Sequence, residues 1–81
     1  MDYQEWMARA LRRIENDVAE GSVFEVKDLF EGHQWKTLPR GNRVGFGRYF
    51  ANDVKEGRVP GVVRLERGKD NHSRYTKQQA R

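Results

Sequence analysis

The sequence contains no cysteine, which excludes disulfide cross-links and thiolate zinc sites, and with them most small secreted scaffolds and zinc modules. It has two histidines, His33 and His72, too far apart in the chain to pair as metal ligands at helical or loop spacing. Apolar runs are only a few residues long, as at Val62-Val63, so no segment reads as a membrane span or a signal peptide. A cysteine nucleophile, a paired-histidine motif and a Ser/His/Asp set at useful spacing are all missing. These absences point to a soluble cytoplasmic protein that is not an enzyme, requires no cofactor and does not engage a membrane.

The hydrophobic fraction is low, 36% against 35% charged, a balance that leans toward disorder. Two tryptophans, three tyrosines and four phenylalanines argue the other way, because each ring buries a large area in a small core. The 81 residues suffice for one domain that buries roughly 60–65% of its unfolded surface.

The net charge of +4 conceals an asymmetry. Residues 1–35 carry four basic side chains (Arg9, Arg12, Arg13, Lys27) and eight acidic ones, a net of −4. Residues 36–81 carry twelve basic and four acidic side chains, a net of +8. A basic half this dense points to a polyanionic partner, most often nucleic acid, the bland alternative being a solvated surface.

Asp2 and Glu5 form an Asp-x-x-Glu pattern suited to a reciprocal helix N-cap. Met7, Leu11, Ile14 and Val18 then recur at helical spacing, with Trp6 and Ala10 flanking the same face. Glu20-Gly21 is expected to end this helix with a left-handed glycine cap. Ser22 to Val26 reads as a brief strand and Lys27 to about Trp35 as a short helix weakened by Gly32.

A turn follows, and Pro39 suits the first position of a third helix from Arg40 to about Glu56. Phe46, Phe50 and Val54 give that helix its apolar stripe, while Gly41, Gly45 and Gly47 oppose it. Gly57 terminates it. Beyond this point the period changes to two, with Val59, Gly61, Val63 and Leu65 on one face and Val62, Arg64 and Glu66 on the other. A polar loop over 67–72 leads to a return strand, Ser73 to Lys77.

The order helix, short strand, helix, turn, helix, hairpin is that of an α+β winged helix-turn-helix domain. Residues 1–77 are expected to form that single domain and 78–81 a disordered C-terminal tail. Phe24, Leu29, Phe30, Trp35, Phe46 and Phe50 are the expected core.

Arg40, Asn42, Arg43 and Arg48 cluster on or just before the third helix, where such a domain places its recognition element. Their donors suit phosphates and base edges. Gly47, one residue after Phe46 and three before Phe50, is expected to permit close helix packing. The hairpin carries Arg64, Arg67, Lys69, Arg74 and Lys77, a basic wing able to track a phosphate backbone. The same charges also protect an edge strand from pairing with other chains. Tyr49 and Tyr75 each adjoin an arginine; half-burial is the simpler expectation, with stacking on exposed bases the functional alternative.

Gly45 to Phe50 partly mimics an RNA-recognition motif, but Val44 replaces the leading cation and Arg48 replaces a stacking aromatic. The chain also opens on a helix where that fold opens on a strand. No Gly-Lys-Ser/Thr follows the glycines, so they do not form a P-loop.

Lys27-Asp28-Leu29-Phe30, Trp35, Arg40-Gly41-Asn42-Arg43, Phe46-Gly47-Arg48-Tyr49-Phe50 and Arg74-Tyr75-Thr76-Lys77 together span about two-thirds of the chain. This set resembles a family of small proteins of Gram-positive bacteria and their mobile elements, known only as a domain of unknown function. The resemblance implies a winged helix-turn-helix fold and, for some relatives, single-stranded DNA binding beside replication proteins.

The expectation is a non-enzymatic DNA-binding protein, with DNA preferred over RNA and single-stranded or weakly sequence-specific DNA as ligand. It would act in mobile-element or phage replication or regulation. The alternative is a protein-interaction module that docks on a nucleic-acid enzyme, using the acidic N-terminal helix for a protein partner.

Overall fold

The computed structural model describes residues 2–65 and 73–78. Among them run helix α1 (Tyr3–Asp17), strand β1 (Val23–Phe24), a 3-10 turn (Val26–Leu29), helix α2 (Gly32–Lys36), helix α3 (Arg40–Lys55), and strands β2 (Val62–Arg64) and β3 (Tyr75–Lys77). The architecture is α+β: three α-helices and a three-stranded antiparallel sheet in the order β1-β3-β2.

Helix α1 begins where its sequence says it should. The Asp2 carboxylate accepts hydrogen bonds from the Gln4 and Glu5 amides at 3.0 and 3.2 Å. Glu5 makes no reciprocal contact and instead pairs with Arg9 one turn later at 3.4 Å. The other end differs from expectation. The helix stops at Asp17, with Val18 extended, and Gly21 (φ 83) serves the turn into β1. The Gly21 amide donates to the Lys77 carbonyl at 2.7 Å, so this glycine fixes the sheet edge and leaves the helix carbonyls to another group.

Only Val23 and Phe24 of the expected strand over 22–26 are extended in the sheet. Asp28 accepts from the Glu25 amide at 2.9 Å in a capping box that starts a 3-10 turn. Phe30 then takes an extended conformation (φ −129, ψ 155) that places its ring in the core, dividing the single helix expected over 27–35. Gly32 opens α2, where glycine costs less than in a helix interior.

Helix α3 runs unbroken through its glycines, with Pro39 as the residue before its first turn. Phe46, Phe50 and Asp53 form its buried side. The Phe46 ring meets Tyr3, Trp6, Phe30, Trp35 and Tyr49, with centroids 5.7–6.4 Å apart. Burial of Phe46 and Phe50 contributes about 1.5–3 kcal/mol each.

Gly57 (φ 76) closes the helix, donating to the Val54 carbonyl at 3.1 Å. Arg58 reinforces the exit: its amide donates to the Asp53 carbonyl at 2.9 Å and its guanidinium meets the Asp53 carboxylate at 3.3 Å.

The expected alternation from Val59 onward is broken by a turn at Gly61 (φ 75), so Val59 and Val62 are both buried. Strand β3 pairs with both neighbours, and the register aligns Phe24, Tyr75 and Arg64 in one row and Val23, Thr76 and Val63 in the next. The first row faces the helices. The second faces away and leaves Val23 57% and Val63 40% exposed. The expected tail, from 79 onward, lies outside the described residues; the Gln78 amide donates to the Gly61 carbonyl at 2.6 Å.

Candidate nucleic-acid interface

On a 3.6-residue helix, Val44, Arg48, Ala51, Asn52 and Lys55 point away from Phe46 and Phe50, while Gly47 and Arg43 stand at the flank of the buried side. These residues line an open groove of about 790 Å³. Lys27 beside the 3-10 turn, Trp35 and Lys36 of α2 form one wall; Arg64 of β2 and Ser73 form the other. Six cations thus converge from separate segments: Lys27, Lys36, Arg43, Arg48, Lys55 and Arg64.

Among the described residues the groove lining contains one carboxylate, Glu25, which belongs to the capping box with Asp28. None of the six cations makes a salt bridge among the described residues. Arg64 donates to the Ser73 hydroxyl at 3.2 Å. The result is a concave surface with a strong excess of positive charge, which concentrates potential and attracts anions. Arg43 adds a local demand. Its Nε is shielded from solvent and has no acceptor among the described residues.

The expected site residues divide around this groove. Arg43, Arg48 and Arg64 line it. Arg40 is exposed at the first turn of α3, three residues before Arg43 and on the same side. Asn42 is half-buried, seven residues before Tyr49, on the side of α3 that meets α1. Arg74 is half-buried beside the wing. Arg67, Lys69 and His72 lie outside the described residues.

Two expectations need correction, at Lys77 and at Gly47, while the two tyrosines follow the simpler of their two expectations. Lys77 does not face a phosphate track. Its ammonium donates to the carbonyls of Ile14, Glu15 and Val18 at 2.8, 3.2 and 3.0 Å, capping the C-terminus of α1. The last carbonyls of a helix have no intrahelical partner and carry partial negative charge, so a lysine arriving from β3 is held there.

Tyr75 follows the simpler expectation, burial, at the inner edge of the groove. It is fully buried between Phe24 and Phe50, with centroids 6.0 and 4.9 Å away. Tyr49 is half-buried on Tyr3, 5.4 Å between centroids, and points away from the groove lining.

Gly47, expected to serve packing, has nothing within 4 Å of where a Cβ would stand. The glycine that packing requires is Gly45, whose missing Cβ leaves room for the Tyr3 hydroxyl.

Lys27, Lys36, Lys55 and Trp35 are the members that sequence reasoning missed. Lys55 was within reach of helical arithmetic, since Arg43, Gly47, Ala51 and Lys55 recur every four residues. Lys27 and Lys36 join only through the fold. Trp35, expected in the core, stacks its ring on Phe30 (5.6 Å, 5° between planes) yet stays half-buried and lines the groove.

The N-terminal helix is not an acidic surface. It carries Glu5, Glu15 and Asp17 against Arg9, Arg12 and Arg13. Arg13 pairs with Asp17 at 3.4 Å, and the Arg9 guanidinium lies 5.5 Å from the centre of the Trp6 ring. The acidic excess of residues 1–35 resides instead largely in caps such as Asp2 and Asp28. Among the described residues, no cluster of three or more potential metal ligands occurs, and no helix is long and apolar enough to cross a membrane.

No curated protein and no solved structure matches the chain. The family described as Domain of unknown function (DUF1413) matches residues 9–77, and the chain belongs to that family.

Proposed function

We propose that the protein is a non-enzymatic winged-helix domain that binds DNA through the α3 groove, taking a single strand with little sequence preference. The observation that carries this reading is the convergence of six cations, none in a salt bridge among the described residues, on one concave surface. Helix α2, a three-residue turn and α3 form the helix-turn-helix pair, and β2 and β3 supply the wing. A slot whose charges face inward suits a flexible strand better than a rigid duplex. Trp35 supplies a partly open ring at the groove wall on which a base can stack. The resemblance to proteins of mobile elements suggests work beside replication or regulatory proteins.

A labelled 20-nucleotide strand and a matched duplex, titrated at several salt concentrations, test the reading. Six phosphate contacts give a slope of about −4 in log K against log salt for a single strand. That slope weakens binding by about two orders of magnitude between roughly 50 and 200 mM salt. Undetectable binding to both ligands at low salt overturns the proposal.

A second reading, a protein-docking module, draws on the outer sheet row, where Val23 and Val63 stand exposed on either side of Thr76. It predicts that substitutions at Val23 and Val63 abolish function while the groove variants leave it intact.

A further inference from the structure

Glycine in the middle of α3 weakens the helix, and a packed neighbour explains this at Gly45 but not at Gly47. The Gly47 position is open, at the floor of the cationic groove. Along the helix it lies four residues after Arg43 and four before Ala51, with Lys55 a further turn on. The column therefore places two small residues, a glycine and an alanine, between two cations, over about 18 Å of helix axis. Arg48 adjoins Gly47 in sequence, and Arg43 holds a shielded Nε donor without an acceptor among the described residues.

We infer that Gly47 is the seat of a backbone phosphate: the nucleic-acid strand crosses α3 with a phosphodiester against the bare helix surface, held by Arg43 and Arg48. This rests on the groove being the binding site. A Cβ at this position would push the strand outward and lengthen its contacts with both arginines. The electrostatic interaction falls as they lengthen, and water enters between them. The glycine thus trades helix stability for close approach.

Gly47→Ala separates that role from a structural one, because the two predict opposite signs. The variant is expected to unfold a few degrees higher than the parent, since alanine favours the helix and meets nothing. It is expected to bind a 20-nucleotide thymidine strand at least fivefold more weakly. Gly41→Ala makes the same chemical change in the same helix, also in open space but outside the groove lining, and is expected to bind as the parent does.

Arg48→Glu, measured alongside, reports on the groove itself. Parental affinity in Gly47→Ala together with lost affinity in Arg48→Glu overturns the phosphate seat and leaves the groove standing. Equal weakening by both glycine variants also overturns it, since the effect would then belong to the helix. Parental affinity in Arg48→Glu overturns the groove, and the seat with it.

Discussion

The Lys77 ammonium lies 2.8 Å from the Ile14 carbonyl oxygen, tying the last strand to the C-terminus of the first helix across 63 residues of sequence. The same group reaches Glu15 and Val18, so one side chain serves two carbonyls of the last turn of α1 and that of the residue just beyond it. No glycine cap closes this helix, and no basic residue stands in its own last turn. Strand β3 supplies both the charge and the donors.

Lys77→Met keeps the length of the stem and removes the ammonium. It is expected to destabilise the fold by about 1–2 kcal/mol, seen as a melting temperature lower by about 5–15 °C. Affinity for DNA at a temperature where the variant is folded is expected to stay within twofold of the parent. A variant that melts normally but binds poorly would return Lys77 to the interface.

Gly45 and Tyr3 predict a coupled pair. Gly45→Ala places a methyl where the Tyr3 hydroxyl stands, with the Tyr3 Cζ 3.1 Å away, and is expected to cost about 1–2 kcal/mol despite the better helix propensity. Tyr3→Phe removes the obstructing oxygen, so the double variant is expected to recover part of the loss. Additive costs in thermal unfolding would show that the two positions do not compete for the same space.

The elements whose cause is local were legible in the residues. Asp2 caps α1, Pro39 precedes α3, Gly57 ends it, and the Phe46 and Phe50 spacing marks its buried side. The structure departs from the local pattern where a distant partner decides. The sequence around Gly21 contains a good helix cap, but β3 claims that glycine's amide and provides Lys77 for the helix end. Phe30 interrupts a continuous helical pattern because its ring belongs in the cluster with Trp6 and Phe46.

The candidate site was half legible for the same reason. Arg43 and Arg48 share a helix that the sequence pattern marks out, although five residues set them about 140° apart around it. Lys27, Lys36 and Arg64 reach the groove only after α2 and the sheet have packed. The overall charge asymmetry points to the polyanionic partner that the proposal names, yet it also suggests an acidic α1. Pairing within the helix removes that surface, as Glu5 meets Arg9 and Asp17 meets Arg13.

The central claim is that the cations of the groove, and not the charge of the whole chain, bind the strand. Lys36→Glu, Arg48→Glu and Arg12→Glu change the net charge by the same amount, but only Lys36 and Arg48 line the α3 groove, while Arg12 lies outside it on α1. Affinities of the three variants for one labelled 20-nucleotide strand, at one low salt concentration, are the most direct test. The account predicts at least tenfold weaker binding for Lys36→Glu and Arg48→Glu, and no more than a twofold change for Arg12→Glu. Equal losses in all three variants would contradict it.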